Sequence, residues 1–263
     1  MTVLGVVAVP YVVSGFAVGF VVGLTGVGGG SLMTPLLVLL FGVPPASAVG
    51  TDLLYAAITK TCGTAAHHIG GTVEWRVMRR LAAGSLPACV ITLVALRQFE
   101  TDSAPIAHLI SQVLGYALVL TALSLLFRRL ILLQAHRFSF YRRPRVQAAL
   151  TTLLGVVLGA LVTLSSVGAG AIGVTILVLL YPHLTIARIV GTDIAHAVPL
   201  TLAAGLGHLA AGAVNLSLLI SLVIGSVPGI IVGSLVAPRA PERVLRLVLA
   251  LILTVVGVRL ALR

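Results

Sequence analysis

An all-α, polytopic membrane protein built from two related halves is predicted by three features of this chain. The first is composition: mean hydropathy is +1.18, with 59% hydrophobic and 9% charged residues, against about 25% charged in soluble globular chains. The second is a succession of apolar runs of spanning length, which is about 17–25 residues, from one end to the other. The third is an internal duplication. Gly26-Val27-Gly28-Gly29-Gly30, Val49-Gly50-Thr51-Asp52, His67 and Gly84-Ser85-Leu86-Pro87 recur as Ser166-Val167-Gly168-Ala169-Gly170, Val190-Gly191-Thr192-Asp193, His208 and Gly225-Ser226-Val227-Pro228. The Gly-Thr-Asp elements lie 141 residues apart and the glycine clusters one residue fewer. Duplication inside an apolar chain points to a transporter with its site where the halves meet.

Taken in order, the long runs fall at 3–24, 46–66, 81–97, 106–127, 146–165, 186–209, 216–237 and 244–262. The first is too long for a signal-peptide core and no small-residue cleavage site follows it, so it is expected to be part of the structure. Two shorter runs, 31–41 and 171–181, follow the glycine clusters. At 1.5 Å per residue each covers about 17 Å, roughly half the hydrocarbon core. Eight to ten membrane segments result, depending on whether the short ones cross or re-enter. Residues 1–127 form a first membrane repeat and 146–263 a second. Between them, 128–145 holds Arg128, Arg129, Arg137, Arg142, Arg143 and Arg145 without an acid, the mark of a cytoplasmic linker.

Charge also orients the halves. The connector at 70–80 carries Arg76, Arg79 and Arg80, while its counterpart at 211–217 carries no charge. The next connector, 98–104, holds Glu100 and Asp102, whereas 238–246 holds Arg239, Arg243 and Arg246. Equivalent connectors are therefore expected on opposite faces, as inverted repeats with five passes per half. The net charge of +11 sits at the ends of apolar runs, facing lipid headgroups. Without a basic-aromatic patch outside the spans, nucleic acid is not an expected partner.

A helix interrupted within the membrane leaves backbone groups that hydrocarbon cannot satisfy, so such breaks line cavities. After each glycine cluster a new helix would begin, at Ser31 or Ala171. Its free N–H groups and the positive end of its dipole suit a small anion. Gly28, Gly29, Gly30 and Ser31, with Gly168, Ala169, Gly170 and Ala171, are the candidate substrate-binding residues, and Thr51 and Thr192 add hydroxyls. The plainer alternative is that the glycines only permit close helix packing. They are not a dinucleotide fingerprint, since Gly26-Val27-Gly28-Gly29-Gly30-Ser31 lacks the last glycine of that pattern and its βαβ context.

Asp52 and Asp193 are ionisable groups inside spans, a functional signal by default. They would either carry a coupling proton, since an ionised carboxylate repels an anion, or hold the broken helices in shape. Lys60, the only lysine, lies two turns after Asp52. It could balance Asp52, meet substrate or snorkel to the interface. His196 follows Asp193 by three residues, which allows an Asp–His relay; its counterpart is Tyr55. His67 and His208 are expected to be hydrogen-bonded interfacial groups. No third ligand accompanies His67-His68, so no metal or cofactor is expected. Cys62 and Cys89, both inside apolar runs, read as small hydrophobes. Ser31, Ser165 and Ser166 have no matching His or Asp partner for nucleophilic chemistry, so no enzyme is expected.

These elements together resemble the sulfite exporter TauE/SafE family of bacterial membrane proteins. The likeness covers nearly the whole chain: the glycine loop at 26–30, its echo at 166–170, Val-Gly-Thr at 49–51 and 190–192, and the Gly-x-x-Pro-Gly-x-x-x-Gly stretch from Gly225 to Gly233. The chain departs from the family pattern at Asp52 and Asp193, where serine is frequent, at Ala88 and Thr92, and at Ala169. The resemblance implies a multi-pass protein of the bacterial plasma membrane that exports small sulfur-containing or organic anions, such as sulfite or organosulfonates. The expected mechanism is secondary transport by alternating access, with protons as the candidate coupling ion; the competing reading is a passive anion channel. Neither oligomeric state nor substrate is fixed by the sequence, and a homo-oligomer is compatible with it.

Overall fold

The computed structural model describes residues 8–25, 30–98, 104–135, 143–236 and 242–262. Among these residues ten helices follow one another: α1 (Val9–Thr25), α2 (Gly30–Leu40), α3 (Pro45–Ile69), α4 (Trp75–Arg97), α5 (Ala104–Ala135), α6 (Pro144–Ser165), α7 (Ala171–Leu180), α8 (Ile186–Ala210), α9 (Leu216–Val236) and α10 (Glu242–Ala261). Five contain stretches long and apolar enough to cross a membrane. Large apolar side chains such as Ile91, Leu251 and Leu235 face outward, as lipid requires. The chain is a polytopic helical membrane protein.

The apolar runs locate the helices, with two shifts. α4 starts at Trp75, six residues before its apolar run, so Arg76, Arg79 and Arg80 lie in its first turns rather than in a connector. At the basic linker α5 runs on to Ala135 while α6 starts at Pro144. Residues 128–135 contain only good helix formers, and the non-helical linker shortens accordingly. Pro144, at the first helical position of α6, has no N–H to lose there.

The packing exchanges the halves. α1 lies along α9, and their counterparts α6 and α4 lie together in the same way; α3 packs on α8 and α5 on α10. Glycines set the closeness of the first two pairs. A Cβ on Gly15 or Gly19 would strike the backbone of Leu222 or Ser226, and one on Gly155 or Gly159 that of Leu81 or Ser85. From the opposite side, Gly84 and Gly225 abut Thr152 and Val12. Backbones approaching this closely gain dispersion and packing that lipid tails cannot offer.

α3 and α8 run antiparallel. Gly50 meets His208 and Ala213, Leu54 meets Gly205, Ile194 meets Gly63, and Gly191 meets His67 and Thr72. Asp52 and Asp193 consequently lie towards opposite ends of this crossing, with Lys60 between their levels.

Candidate functional site

The duplicated Gly-Thr-Asp element divides into a clasp and a core. At one end of the α3–α8 crossing, Thr51 Oγ1 accepts a hydrogen bond from the Asn215 N–H at 3.2 Å. At the other, Thr192 Oγ1 accepts from the Glu74 N–H at 2.8 Å and donates to the Arg188 carbonyl at 2.6 Å. Asn215 and Glu74 are themselves repeat counterparts, each just ahead of the fourth helix of its half. The glycines make room: a Cβ on Gly50 would lie 2.7 Å from the Ala213 carbonyl oxygen, and one on Gly191 2.8 Å from that of Thr72. Each half thus grips the connector of the other. In this conformation both threonine hydroxyls accept from connector backbones.

The aspartates turn inward and are fully buried, at 0% and 1% exposure. Thr34 Oγ1, on α2, donates to Asp52 Oδ2. The Gly170 backbone, at the start of α7, interacts with the Asp193 carboxylate, and a Cβ on Gly173 would collide with Asp193 Oδ1. Each carboxylate is therefore seated on the short helix of its own half. One oxygen of each, Oδ1, has no hydrogen-bond partner.

The second glycine cluster is a true interruption. α6 ends at Ser165, Ser166 adopts the left-handed conformation (φ 59°), and Gly168 and Gly170 have φ of 122° and 125°, a region open only to glycine. The N–H groups of Gly173 and Val174 bond back to the Gly168 and Gly170 carbonyls, and these two bonds use neither the Ala171 nor the Ile172 N–H of the α7 start. Ser166 at the head of this loop approaches Asp52, while Gly170 at its tail meets Asp193, so the loop stretches between the two carboxylates. Ala169, part-way along it, packs against the apolar core. On the first cluster, Gly28 and Gly29 and the side chain of Ser31 lie outside the described residues; Gly30 opens α2.

Lys60 is buried, with 8% exposure, and does not snorkel. It acts electrostatically on Asp52, Asp193 and His196, yet no ion pair joins it to either aspartate; the ion pair found among the described residues links Arg188 to Glu74 at the clasp. His196 Nε2 pairs with Ser85 Oγ at 2.8 Å, leaving Nδ1 without a partner, and no bond links it to Asp193. In the other half Tyr55 faces Ser226, the counterpart of Ser85. His67 and His208 are held by Thr72 Oγ1 and the Thr163 carbonyl, at 2.8 and 3.0 Å.

Over residues 11–260 the chain matches the model of the family described as Sulfite exporter TauE/SafE. It belongs to that family. Among curated proteins it is 38% identical to the Probable membrane transporter protein YjnA of Bacillus subtilis (strain 168) over 213 residues, covering 80% of this chain and 83% of that protein. The Probable membrane transporter protein YdhB of the same organism is 27% identical over 211 residues, covering 78% and 80%. No solved structure matches the chain. Membership makes this a multi-pass membrane protein of a transporter family.

For this family member, three central polar residues carry no assigned role in the sequence reading, Thr34, Ser85 and Ser226, and Ser166 is read there only as a hydroxyl without a nucleophile's partners. Ser85 and Ser226 were visible inside the duplicated Gly-Ser-x-Pro element, where the glycine packs and the serine faces the core. Thr34 carried no signal, since a hydroxyl in an apolar half-helix looks like filler. Two cavities border the helices. One, about 350 Å³, lies among Arg97, His208 and Ala211 at the ends of α4 and α8. The other, about 410 Å³, is an apolar cleft between α1, α2 and α10. Neither of these two is lined by an aspartate, and both carboxylates are buried.

Proposed function

We propose that this protein is a secondary transporter of the bacterial plasma membrane that exports a small sulfur-containing or organic anion, sulfite or an organosulfonate, by alternating access. The carrying observation is the loop at 166–170, broken within the helical core and strung between two buried carboxylates. Its distal end presents the Ala171 and Ile172 N–H groups, and Lys60 supplies the one buried ammonium nearby. Together with Gly28, Gly29, Gly30 and Ser31 of the first half, these groups would cradle the anion. The antiparallel run of α3 and α8, which are repeat counterparts, supports an inverted repeat. So do five helices in each half, an odd number, if α2 and α7 return the chain across the membrane. The basic residues of 128–145 would then face the cytoplasm.

Asp52 and Asp193 carry the coupling charge in this reading and anchor α2 and α7 while doing so. In liposomes containing purified protein, radiolabelled sulfite should exchange in saturable counterflow. Gly170→Leu should abolish that exchange while the protein still elutes as a single species. Full exchange by this variant would remove the site, and a non-saturating ohmic current in the wild type would favour the channel. If sulfite itself is inert, a thermal-shift screen across sulfate, sulfonates and carboxylates identifies the anion, because a ligand of the folded state raises apparent stability.

A further inference from the structure

We infer that Asp52, Ser166 and the C-terminal end of α6 form a binding site for one monovalent cation, distinct from the anion cradle at the start of α7. The inference rests on the transporter reading only for its purpose, and the site stands on its own geometry. Ser166 is 7% exposed and its Oγ has no hydrogen-bond partner, although it is set against the Asp52 carboxylate. Asp52 Oδ1 is likewise buried and unpartnered. A serine held at φ 59° is an uncommon arrangement outside glycine, and here it turns a hydroxyl towards a carboxylate. The last turn of α6 brings the negative end of a helix dipole to the same place. A carboxylate, a hydroxyl oxygen and a helix C-terminus are an oxygen-rich, negative environment, the kind that holds Na⁺ or H⁺ at broken membrane helices.

Charge counting agrees. The core contains two carboxylates and a single ammonium, Lys60, whose repeat counterpart is Thr201. One negative charge is left over in a medium where an uncompensated ion is strongly disfavoured. The titratable groups near Asp52 are few: Lys60 and Tyr55 on α3, and His208 on α8, which packs against Gly50 with its Nε2 on the Thr163 carbonyl, while Asp193 and His196 lie towards the other end of the crossing. α2 and α9 have no ionisable side chain, α6 has only Arg145 in its first turn, and His108 and Tyr116 of α5 point outward. The counterpart of Ser166 is Gly26, so the second copy of the site lacks its hydroxyl and the stoichiometry is one cation. Cation and anion then occupy the two sides of one interruption, the end of α6 and the start of α7.

Purified full-length protein in detergent, without any anionic substrate, tests this. Thermal unfolding is followed while NaCl replaces choline chloride at constant ionic strength, and the infrared carbonyl stretch of a protonated buried acid is recorded at neutral pH. A sodium-dependent rise in unfolding temperature, absent in Asp52→Asn and with half-saturation shifted about tenfold in Ser166→Gly, identifies Na⁺. No sodium response, but an acid carbonyl band that disappears in Asp52→Asn, identifies H⁺. Ser166→Gly suits the left-handed backbone and so separates loss of the ligand from loss of the fold. A wild type with neither the sodium response nor the acid band overturns the site. Because chloride is held constant and no sulfite or sulfonate is present, failure here is independent of failure in the sulfite exchange.

Discussion

Half one and half two are near copies at their edges and differ at their centre. Thr51 and Thr192 bind equivalent connectors, Gly50 and Gly191 admit them, and glycines on α1 and α6 press against α9 and α4 in the same register. At the middle, Lys60 faces a structure whose matching position is Thr201, Tyr55 stands where the other half has His196, and Ser166 where the first has Gly26. Packing at the periphery is a demand that both copies share, so both keep the same residues. The polar centre is a single space that the halves fill jointly, and joint filling needs complementary side chains.

The comparison predicts that damage to the shared scaffold should be equal in the two halves. Gly225→Leu and Gly84→Leu each drive a side chain into facing backbone and should cost about 3 kcal/mol or more. Size-exclusion chromatography should show loss of monodisperse protein for both; a well-behaved Gly84→Leu beside a collapsed Gly225→Leu would break the equivalence. Changes at the centre should be unequal. Asp52→Asn is expected to alter the dependence of sulfite exchange on the proton gradient more than the half-saturating sulfite concentration. Unchanged pH dependence in that variant would remove Asp52 as a carrier of the coupling charge and leave Asp193.

Smaller effects sharpen the clasp. Thr192→Val orphans the Glu74 N–H and should lower stability by about 1 kcal/mol, in the range measured for polar contacts between membrane helices. Thr51→Val should cost less, its bond being longer and single, and denaturant unfolding in mixed micelles would rank the pair. The reverse ranking would mean the Asn215 connector is the tighter grip. Least of all, Arg188→Gln breaks an ion pair whose partners are 44% and 30% exposed, which should change stability by no more than about 0.5 kcal/mol.

Much of this was readable from the chain because its largest signals are periodic. Apolar runs locate the helices, apart from the start of α4 and the end of α5, and the offset between Gly-Thr-Asp elements marks α3 and α8 as counterparts. What the sequence could not divide was the element itself. Gly, Thr and Asp are adjacent in the chain, yet on a helix two of them face a neighbouring connector and the third faces the core. Nothing in composition says which. The depth of Lys60 was hidden for a similar reason, since a lysine nine residues short of its helix end can either reach the surface or fold back, and only the surrounding carboxylates decide. Thr34 illustrates the remaining gap: its importance comes entirely from Asp52, on another helix.

The two short helices are not equally braced. α7 leans against α5, whereas α2 borders the apolar cleft of about 410 Å³ beside α10. Acyl chains can therefore press into the molecule along the α2 flank. The thickness and fluidity of the surrounding bilayer then act as a lever on the first interruption, and a duplicated protein acquires a soft side beside the half that α5 braces.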